Sequence, residues 1–291
     1  MSVGKTAPDG KKIVPGLHLV ATPIGAARDI TLRALDILAG ADVLAAEDTR
    51  TLRHLMEIHG IALNGRPMIA YHDHNGAAAR PRLISLLREG KSVAYASEAG
   101  TPLVADPGFQ LARAAIGEGL AVLAAPGASA VLCALTVSGL PSDRFTFLGF
   151  LPPKTTARKT TLREVKDWGS SLIIYESPHR LVACLGDLEM VLGGERQAAV
   201  CRELTKKFEE ISRGSLAELA AAFADRDVKG EIVIVVDRAP VAVTKEEDVE
   251  TALQDALMTH SVKEAAQLVA ERFGMSKRDA YQRALKLGVK E

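Results

Sequence analysis

Four stretches of this sequence gather glycine, proline and small hydroxyl side chains just where a short apolar run ends. They are Ala21-Thr22-Pro23-Ile24-Gly25, Ser97-Glu98-Ala99-Gly100-Thr101-Pro102 with Ala105-Asp106-Pro107-Gly108 after it, Pro126-Gly127-Ala128-Ser129-Ala130, and Tyr175-Glu176-Ser177-Pro178-His179-Arg180. Glycine lets a backbone come close to a ligand, and proline fixes the turn. The first three stretches carry no lysine or arginine, so recognition there rests on backbone N–H and C=O groups and a few hydroxyls. That chemistry suits a neutral, adenosine-like body better than a triphosphate. Taken singly, each stretch reads as a tight strand-to-helix turn; four in one chain read as parts of one site. The common signatures are missing: there is no G-x-G-x-x-G after a strand, no P-loop, no G-x-S-x-G elbow and no helical H-E-x-x-H.

Such turns act only if a sheet brings them together, because ligands of open α/β sheets bind outside the carboxyl ends of the strands. Brief apolar runs at 17–21, 43–46, 68–71, 93–97 and 122–125 predict strands, and their near-continuous apolarity predicts cover on both faces. Amphipathic stretches at 31–39, 51–59, 109–118 and 128–138 predict helices between them. This alternation implies a mainly parallel α/β sheet. A further helix is expected to begin near Pro81. The second half is less regular, with strands expected at 145–149, 171–175, 198–202 and 231–237, a short one at 211–213, and helices at 156–168, 180–192 and 215–224. It predicts a mixed sheet in a second α/β domain.

The 291 residues suggest about two domains, and 47% hydrophobic with 25% charged residues is globular composition. Lysine plus arginine equals aspartate plus glutamate, 36 each, which excludes a binder of nucleic acid driven by overall charge. Three scattered cysteines fit a reducing compartment, hence the cytoplasm, and no zinc knuckle. Residues 1–15 read as a disordered tail and not a signal peptide. The uncharged run 119–142 is broken by Pro126-Gly127 and reads as strand, turn and helix, with no membrane span. The expected organisation is an α/β domain over 16–126, a mixed-sheet α/β domain over 127–240 and a helical tail over 245–291. In that tail Val262, Ala265, Ala266 and Val269 form a stripe, Gly274 stops one helix, and Ser276 with Asp279 starts the next. The pair has a helix-turn-helix shape, and from His260 onward seven basic residues face four acidic ones.

The ordered set of motifs resembles the tetrapyrrole-methylase family of S-adenosylmethionine methyltransferases, and within it the ribosomal RNA small subunit methyltransferase I branch. The matching segments include Val20-Ala21-Thr22-Pro23-Ile24-Gly25, Glu47-Asp48-Thr49-Arg50, Tyr71-His72-Asp73-His74-Asn75, Ala99-Gly100-Thr101-Pro102, Asp106-Pro107-Gly108, Pro126-Gly127-Ala128-Ser129-Ala130-Val131, Gly149-Phe150-Leu151-Pro152, Tyr175-Glu176-Ser177-Pro178-His179-Arg180, Arg202-Glu203-Leu204-Thr205-Lys206-Lys207-Phe208-Glu209 and Lys229-Gly230-Glu231. They run in order from about residue 17 to 237, and the helical tail also resembles that branch.

The resemblance implies two α/β domains with S-adenosylmethionine in the cleft between them, a homodimer, and 2′-O-methylation of a cytidine in the decoding region of 16S rRNA. It implies cofactor contacts at Pro23, Ser97, Glu98, Gly100, Thr101, Ser129, Ala130, Tyr175, Glu176, Leu204 and Gly230. Glu98 stands where the family usually has aspartate, and Ala26-Ala27 replace a more usual Asn-Leu. Methyl transfer to a ribose hydroxyl needs alignment and a place for a proton. Glu203, Lys206 and His179 are the candidates for that proton, each with a plainer role in pairing or capping. Arg50, Arg144, Arg180 and Arg202 are candidate phosphate contacts, joined by Lys277 and Arg278 in the tail. His72-Asp73-His74, read as extended, puts two imidazoles on one face; with no third ligand, RNA contact or local hydrogen bonding is favoured over a metal. Two other readings stay open: a methylase of a small tetrapyrrole or a diphthine synthase, and a non-catalytic RNA-binding sensor of S-adenosylmethionine or a nucleotide.

Overall fold

The structure, a computed structural model, describes residues 12–240 and 246–288. Most of the expected tail, 1–11, and residues 241–245 of the expected linker lie outside the described residues. The chain divides into two compact units between Ala239 and Pro240. The first unit holds two α/β domains, each built on one sheet.

The first sheet is wholly parallel, with strands β1 (Gly16–Val20), β2 (Val43–Ala46), β3 (Met68–Ala70), β4 (Ser92–Ala96) and β5 (Val122–Ala125) in the order β3-β2-β4-β1-β5. Helices α1 (Leu32–Gly40), α2 (Thr49–Ile58), α3 (Gly76–Arg88) and α4 (Phe109–Gly117) connect the strands. Both faces are covered. Val43, Ala45, Val93 and Tyr95 pack with Leu83 and Leu111 on one side, and Leu44, Ala46, Ala94 and Ala96 with Leu38 and Leu52 on the other. This two-sided cover is why these strands read as unbroken apolar runs. Val20 pairs with Ala96 and with Ala125, so the loops after β1, β4 and β5 leave the same sheet edge side by side.

Helix α5 (Ala130–Ser138) follows, capped by Ser129, and the run 119–142 is thus strand, turn and helix as expected. The second sheet comprises β6 (Phe145–Phe150), β7 (Ser171–Glu176), β8 (Gln197–Arg202), β9 (Glu210–Ser215) and β10 (Ile232–Val236), ordered β6-β7-β10-β8-β9. Only β6 and β7 run parallel, so this sheet is mixed. Helices α6 (Thr155–Val165), α7 (Leu181–Leu192) and α8 (Leu216–Phe223) cover one face. Helix α5 covers the other, where Ile24 from the β1 loop joins Ile173, Val233 and Leu204.

Helix α3 does not begin near Pro81; it begins at Gly76 and contains the proline. A proline inside a helix leaves the carbonyl four residues earlier, here Ala77, without its partner. The turn ahead holds the helix start instead. The Asn75 side chain donates to the Ala70 carbonyl (3.0 Å) and accepts from the His72 N–H (2.8 Å), and the Gly76 N–H donates to the His72 carbonyl (2.7 Å). The same turn corrects the extended reading of His72-Asp73-His74, although the two rings still meet edge to face with centroids 6.1 Å apart. No group of three or more potential metal ligands is found among the described residues.

The second unit contains α9 (Glu246–Leu257), α10 (Val262–Phe273) and α11 (Lys277–Gly288) around a small core of Val249, Leu253, Ala266, Val269, Ala280 and Ala284. Gly274 ends α10 in the left-handed region (φ +62°), and the Ser276 hydroxyl accepts from the Asp279 N–H at 3.0 Å. The expected helix pair is present, with α9 as a third member. No helix among the described residues is long and apolar enough to cross a membrane.

Candidate active site

The three glycine-bearing loops of the first sheet lock together. Thr22 and Gly100 exchange backbone hydrogen bonds (2.9 and 3.0 Å), and the Thr22 hydroxyl donates to the Ser97 carbonyl (3.1 Å). The Ser97 hydroxyl donates to the Gly100 carbonyl (2.5 Å), which turns the loop back on itself. Gly100 has φ +81°, a conformation costing L-residues roughly 1–2 kcal/mol. The Thr101 hydroxyl donates to the Ala128 carbonyl (2.9 Å), tying the β4 loop to the β5 loop.

The β1 loop also reaches the second domain. A Cβ on Gly25 would lie 2.5 Å from Lys206 Cγ and 2.6 Å from Thr205 Oγ1, so only glycine fits. The Ala26 N–H donates to Thr205 Oγ1 (3.1 Å). Between these loops and the carboxyl end of β7 lies a cleft of about 710 Å³, within the range of small-molecule sites. Pro23, Glu98, Gly100, Thr101, Ser129, Ala130, Tyr175, Glu176, Lys206 and Gly230 all line it. Residues scattered over two hundred positions therefore converge on one crevice.

Ser97 and Leu204 are buried behind the wall and do not line the cleft. Ser97 sets the loop by the bonds above, and Leu204 packs in the apolar cluster with Ile24 and Val131. His179 is exposed and outside the lining, in a single 3₁₀ turn (Pro178–Arg180). Its position gives a proton-accepting role no support.

Glu203, Lys206 and Glu231 form one cluster. Lys206 Nζ donates to Glu203 Oε1 (2.9 Å) and to Glu231 Oε2 (3.0 Å), and the Glu231 N–H donates to Glu203 Oε1 (2.9 Å). The Glu231 N–H, and after it the Lys206 ammonium, hold the Glu203 carboxyl below its usual range against the opposing effect of burial. For Lys206, burial favours the neutral amine, but the hydrogen bonds to Glu203 and Glu231 outweigh it and raise the group above its usual value. An ammonium so held donates hydrogen bonds at neutral pH and does not accept a proton. Glu231 is the most exposed carboxylate of the cluster. A Cβ on Gly230 (φ +95°) would collide with the Glu203 side chain.

Across from this cluster in sequence, the first-sheet loops contribute three carboxylates to the lining: Glu47, Glu98 and Asp106. Asp106 is fixed by the Tyr95 hydroxyl (2.6 Å) and the Gly108 N–H (2.9 Å). Burial pushes the Glu47 carboxyl above its usual range, and the charges of Asp106, Glu98 and Asp73 add to the shift. The cleft therefore carries an excess of negative charge that a cationic ligand would relieve. Four of the five non-glycine residues with positive φ among those described, Leu103, Ala105, Glu203 and Thr205, sit in two of the loops that build the cleft. Strain of this kind persists where the surrounding structure fixes a functional geometry.

The pattern of the tetrapyrrole (corrin/porphyrin) methylases matches residues 16–220, and that of the RsmI C-terminal HTH domain matches 243–288. The chain belongs to the tetrapyrrole methylase family. A relative from Mesorhizobium japonicum, named ribosomal RNA small subunit methyltransferase I, is 47% identical over 98% of this chain and 96% of its own. One of the same name from Xylella fastidiosa is 44% identical over 92% and 98%. Among solved structures, a uroporphyrin-III C-methyltransferase from Thermus thermophilus, complexed with S-adenosylhomocysteine, matches at TM-score 0.54 and 18% identity, covering 77% of this chain and 98% of its own. At that identity the likeness concerns the methylase fold.

The arginines expected at phosphate separate into two groups within this methylase. Arg180 pairs with Glu176 (3.2 Å) and donates to the Leu151 carbonyl (2.7 Å), and Arg202 pairs with Glu210 (3.0 Å). Both guanidiniums are engaged by the protein's own acceptors, which argues against the phosphate role assigned to them. Arg50 and Arg144 are exposed, Arg50 beside Asp48 (2.7 Å), and Lys277 and Arg278 are exposed at the start of α11. Sequence reasoning missed Glu47, Asp106, Phe150 and Glu231 as cleft residues. Glu47 follows β2 as Pro23 follows β1, and the strand-end rule applied to β2 would have found it. Phe150 stands in the family-like segment Gly149-Phe150-Leu151-Pro152, to which the resemblance assigned no role.

Proposed function

We propose that this methyltransferase transfers a methyl group from S-adenosylmethionine to the 2′-hydroxyl of a cytidine in the decoding region of 16S rRNA. The names of its relatives support the RNA substrate. The observation that carries the reading is the cleft itself, where backbone-rich loops and the unneutralised carboxylates Glu47, Glu98 and Asp106 meet the Glu203–Lys206–Glu231 cluster. That donor set fits a ligand with an adenosine body and a positive charge, and it disfavours a triphosphate.

When bound, S-adenosylmethionine supplies an electrophilic methyl group on a positively charged sulfur. The chain supplies placement. The turns at Pro23, Gly100, Ser129-Ala130 and Gly230 receive the adenosine body, and the carboxylates oppose the positive charge. Alignment of this kind contributes roughly 7–11 kcal/mol toward a barrier. Lys206, kept as an ammonium, holds Glu231 in place through the 3.0 Å bond from Nζ to Oε2. Glu203, saturated by its own loop, positions Lys206. Glu231 takes the hydroxyl proton, whose loss becomes favourable as the oxygen acquires its new bond. Arg50, Arg144, Lys277 and Arg278 meet phosphates.

The protein acts in the cytoplasm on the small ribosomal subunit, as a homodimer. The family resemblance and the exposed apolar side chains Leu32, Phe109 and Ile116 support the dimer, which light scattering tests as twice the chain mass. The function is tested by incubating small subunits that lack the modification with methyl-labelled S-adenosylmethionine. One labelled cytidine ribose is expected. Subunits without label, or label on a base, would refute the reading.

A further inference from the structure

Strand β6 carries a register shift: Phe147 pairs with Ile173, while Gly149 pairs with Ile174 and Phe150 with Tyr175. Leu148 is the extra residue, and Gly149 absorbs the bulge at φ +66°. Side chains alternate along a regular strand, so Phe147 and Phe150, three apart, would otherwise point to opposite faces. The bulge turns both to the face of Tyr175. The Phe147 and Phe150 rings meet the Tyr175 ring edge to face, with centroids 4.8 and 5.6 Å away. Bulges next to active sites commonly re-aim a side chain in this way.

Phe147 and Tyr175 are partly buried in the apolar cluster beneath α5. Phe150 is not: it lines the cleft and is 58% exposed. A phenylalanine held open at the rim of a cleft gains little for the fold, since apolar side chains stabilise by leaving water. Its exposed ring is a surface on which another flat ring can lie. Sequence-specific RNA recognition works on splayed-out bases stacked on aromatic side chains, which is how one cytidine is singled out from its neighbours.

We infer that Phe150 is the stacking platform for the base of the target nucleotide, held out by the glycine bulge at Gly149. This rests on the RNA reading above and adds the specific contact that positions the base while its ribose enters the cleft. The donor is held by the first-sheet loops, the Tyr175-Glu176 turn and Gly230, and the Phe150 ring at the same cleft acts on the RNA, so the two affinities are measured separately.

The test compares the full-length protein with F150A and F150W, measuring the dissociation constant for small subunits lacking the modification, the dissociation constant for S-adenosylmethionine, and labelling. Stacking on an aromatic side chain is worth about 1–3 kcal/mol per base, roughly a 5- to 150-fold loss of subunit binding for F150A. F150W is expected to bind subunits within a few-fold of the parent. Donor affinity is expected to change far less than subunit affinity in both. Because Phe150 is exposed, F150A is expected to keep the parent's thermal transition. G149A, which strains the bulge without touching the ring, is expected to move in the same direction as F150A. The inference is overturned if F150A binds subunits as the parent does, if F150W is as weak as F150A, or if F150A instead loses donor affinity. A change of oligomeric mass in F150A with normal subunit binding would assign the ring to a subunit contact and overturn it equally. A parent protein that neither binds nor labels subunits refutes the RNA reading, and this inference falls with it.

Discussion

Gly230 offers a quantitative check on the cluster that faces the cleft. Its φ of +95° is one that L-residues adopt only at a cost, and a Cβ there would overlap Cγ, Cδ and Oε1 of Glu203. The conformational part of Gly230→Ala is about 1–2 kcal/mol. Overpacking adds roughly 1–3 kcal/mol if Glu203 stays, or the loss of its charged hydrogen bonds, of similar size, if it moves. The expected destabilisation is therefore about 2–5 kcal/mol. In a Glu203→Ala background the collision disappears and only the conformational part of about 1–2 kcal/mol remains. The difference is the coupling energy, about 1–3 kcal/mol, within the range found for contacting residues. Urea unfolding followed by the fluorescence of Trp168 measures it, because this single tryptophan lies in the first unit and reports that unit alone. Additive effects of the two substitutions, or Gly230→Ala at parental stability, would refute the packing of Gly230 against Glu203 and the ordering of Lys206 argued from it.

Lys206→Met should lower the rate of methyl transfer by about 10²–10⁴-fold, the size of a general base's contribution, because Glu231 loses the ammonium that holds it, with a much smaller change in donor affinity; single-turnover labelling measures both. Glu47→Gln should stabilise the free protein at neutral pH and weaken donor binding, read by thermal unfolding with and without S-adenosylmethionine. The sign follows from the raised Glu47 carboxyl: the folded state binds its proton more tightly than the unfolded state, so this group's contribution to stability is present at low pH and lost as pH rises through the folded value. Donor affinity should correspondingly rise over that same interval as the carboxylate forms, and a pH-independent affinity would contradict the assignment. Asp187→Ala should destabilise the second domain by about 3–5 kcal/mol, because it strands the buried Arg158 guanidinium now 2.6 Å from Asp187; urea unfolding checks it.

The parallel sheet was legible because its buried strands show as brief apolar runs bounded by proline, glycine, aspartate or serine, and β2 and β5 have the expected limits. The mixed second sheet was legible in outline, since its strands also alternate with amphipathic helices. Pro81 misled because local propensity disfavours a helical interior there, whereas the Asn75 and His72 hydrogen bonds that start α3 involve a turn whose geometry no pattern discloses. The cleft loops could be recognised by composition and order. Their lining and their supporting side chains could not be told apart: Ser97 and Leu204 carry the same motif signal as Gly100 and Lys206 but point away. The inward pairing of Arg180 and Arg202 depends on Glu176 and Glu210, partners fixed by strand ends and sheet pairing. The exposure of Phe150 depends on a one-residue bulge.

If the cleft methylates one ribose of the small-subunit RNA, mass mapping of 16S rRNA from cells lacking the protein will show one decoding-region fragment lighter by a single methyl group on a cytidine ribose. The intact protein restores that methyl group and the Lys206→Met form does not. A fragment pattern identical to that of the parent cells would remove the methylation of 16S rRNA from this protein's activity.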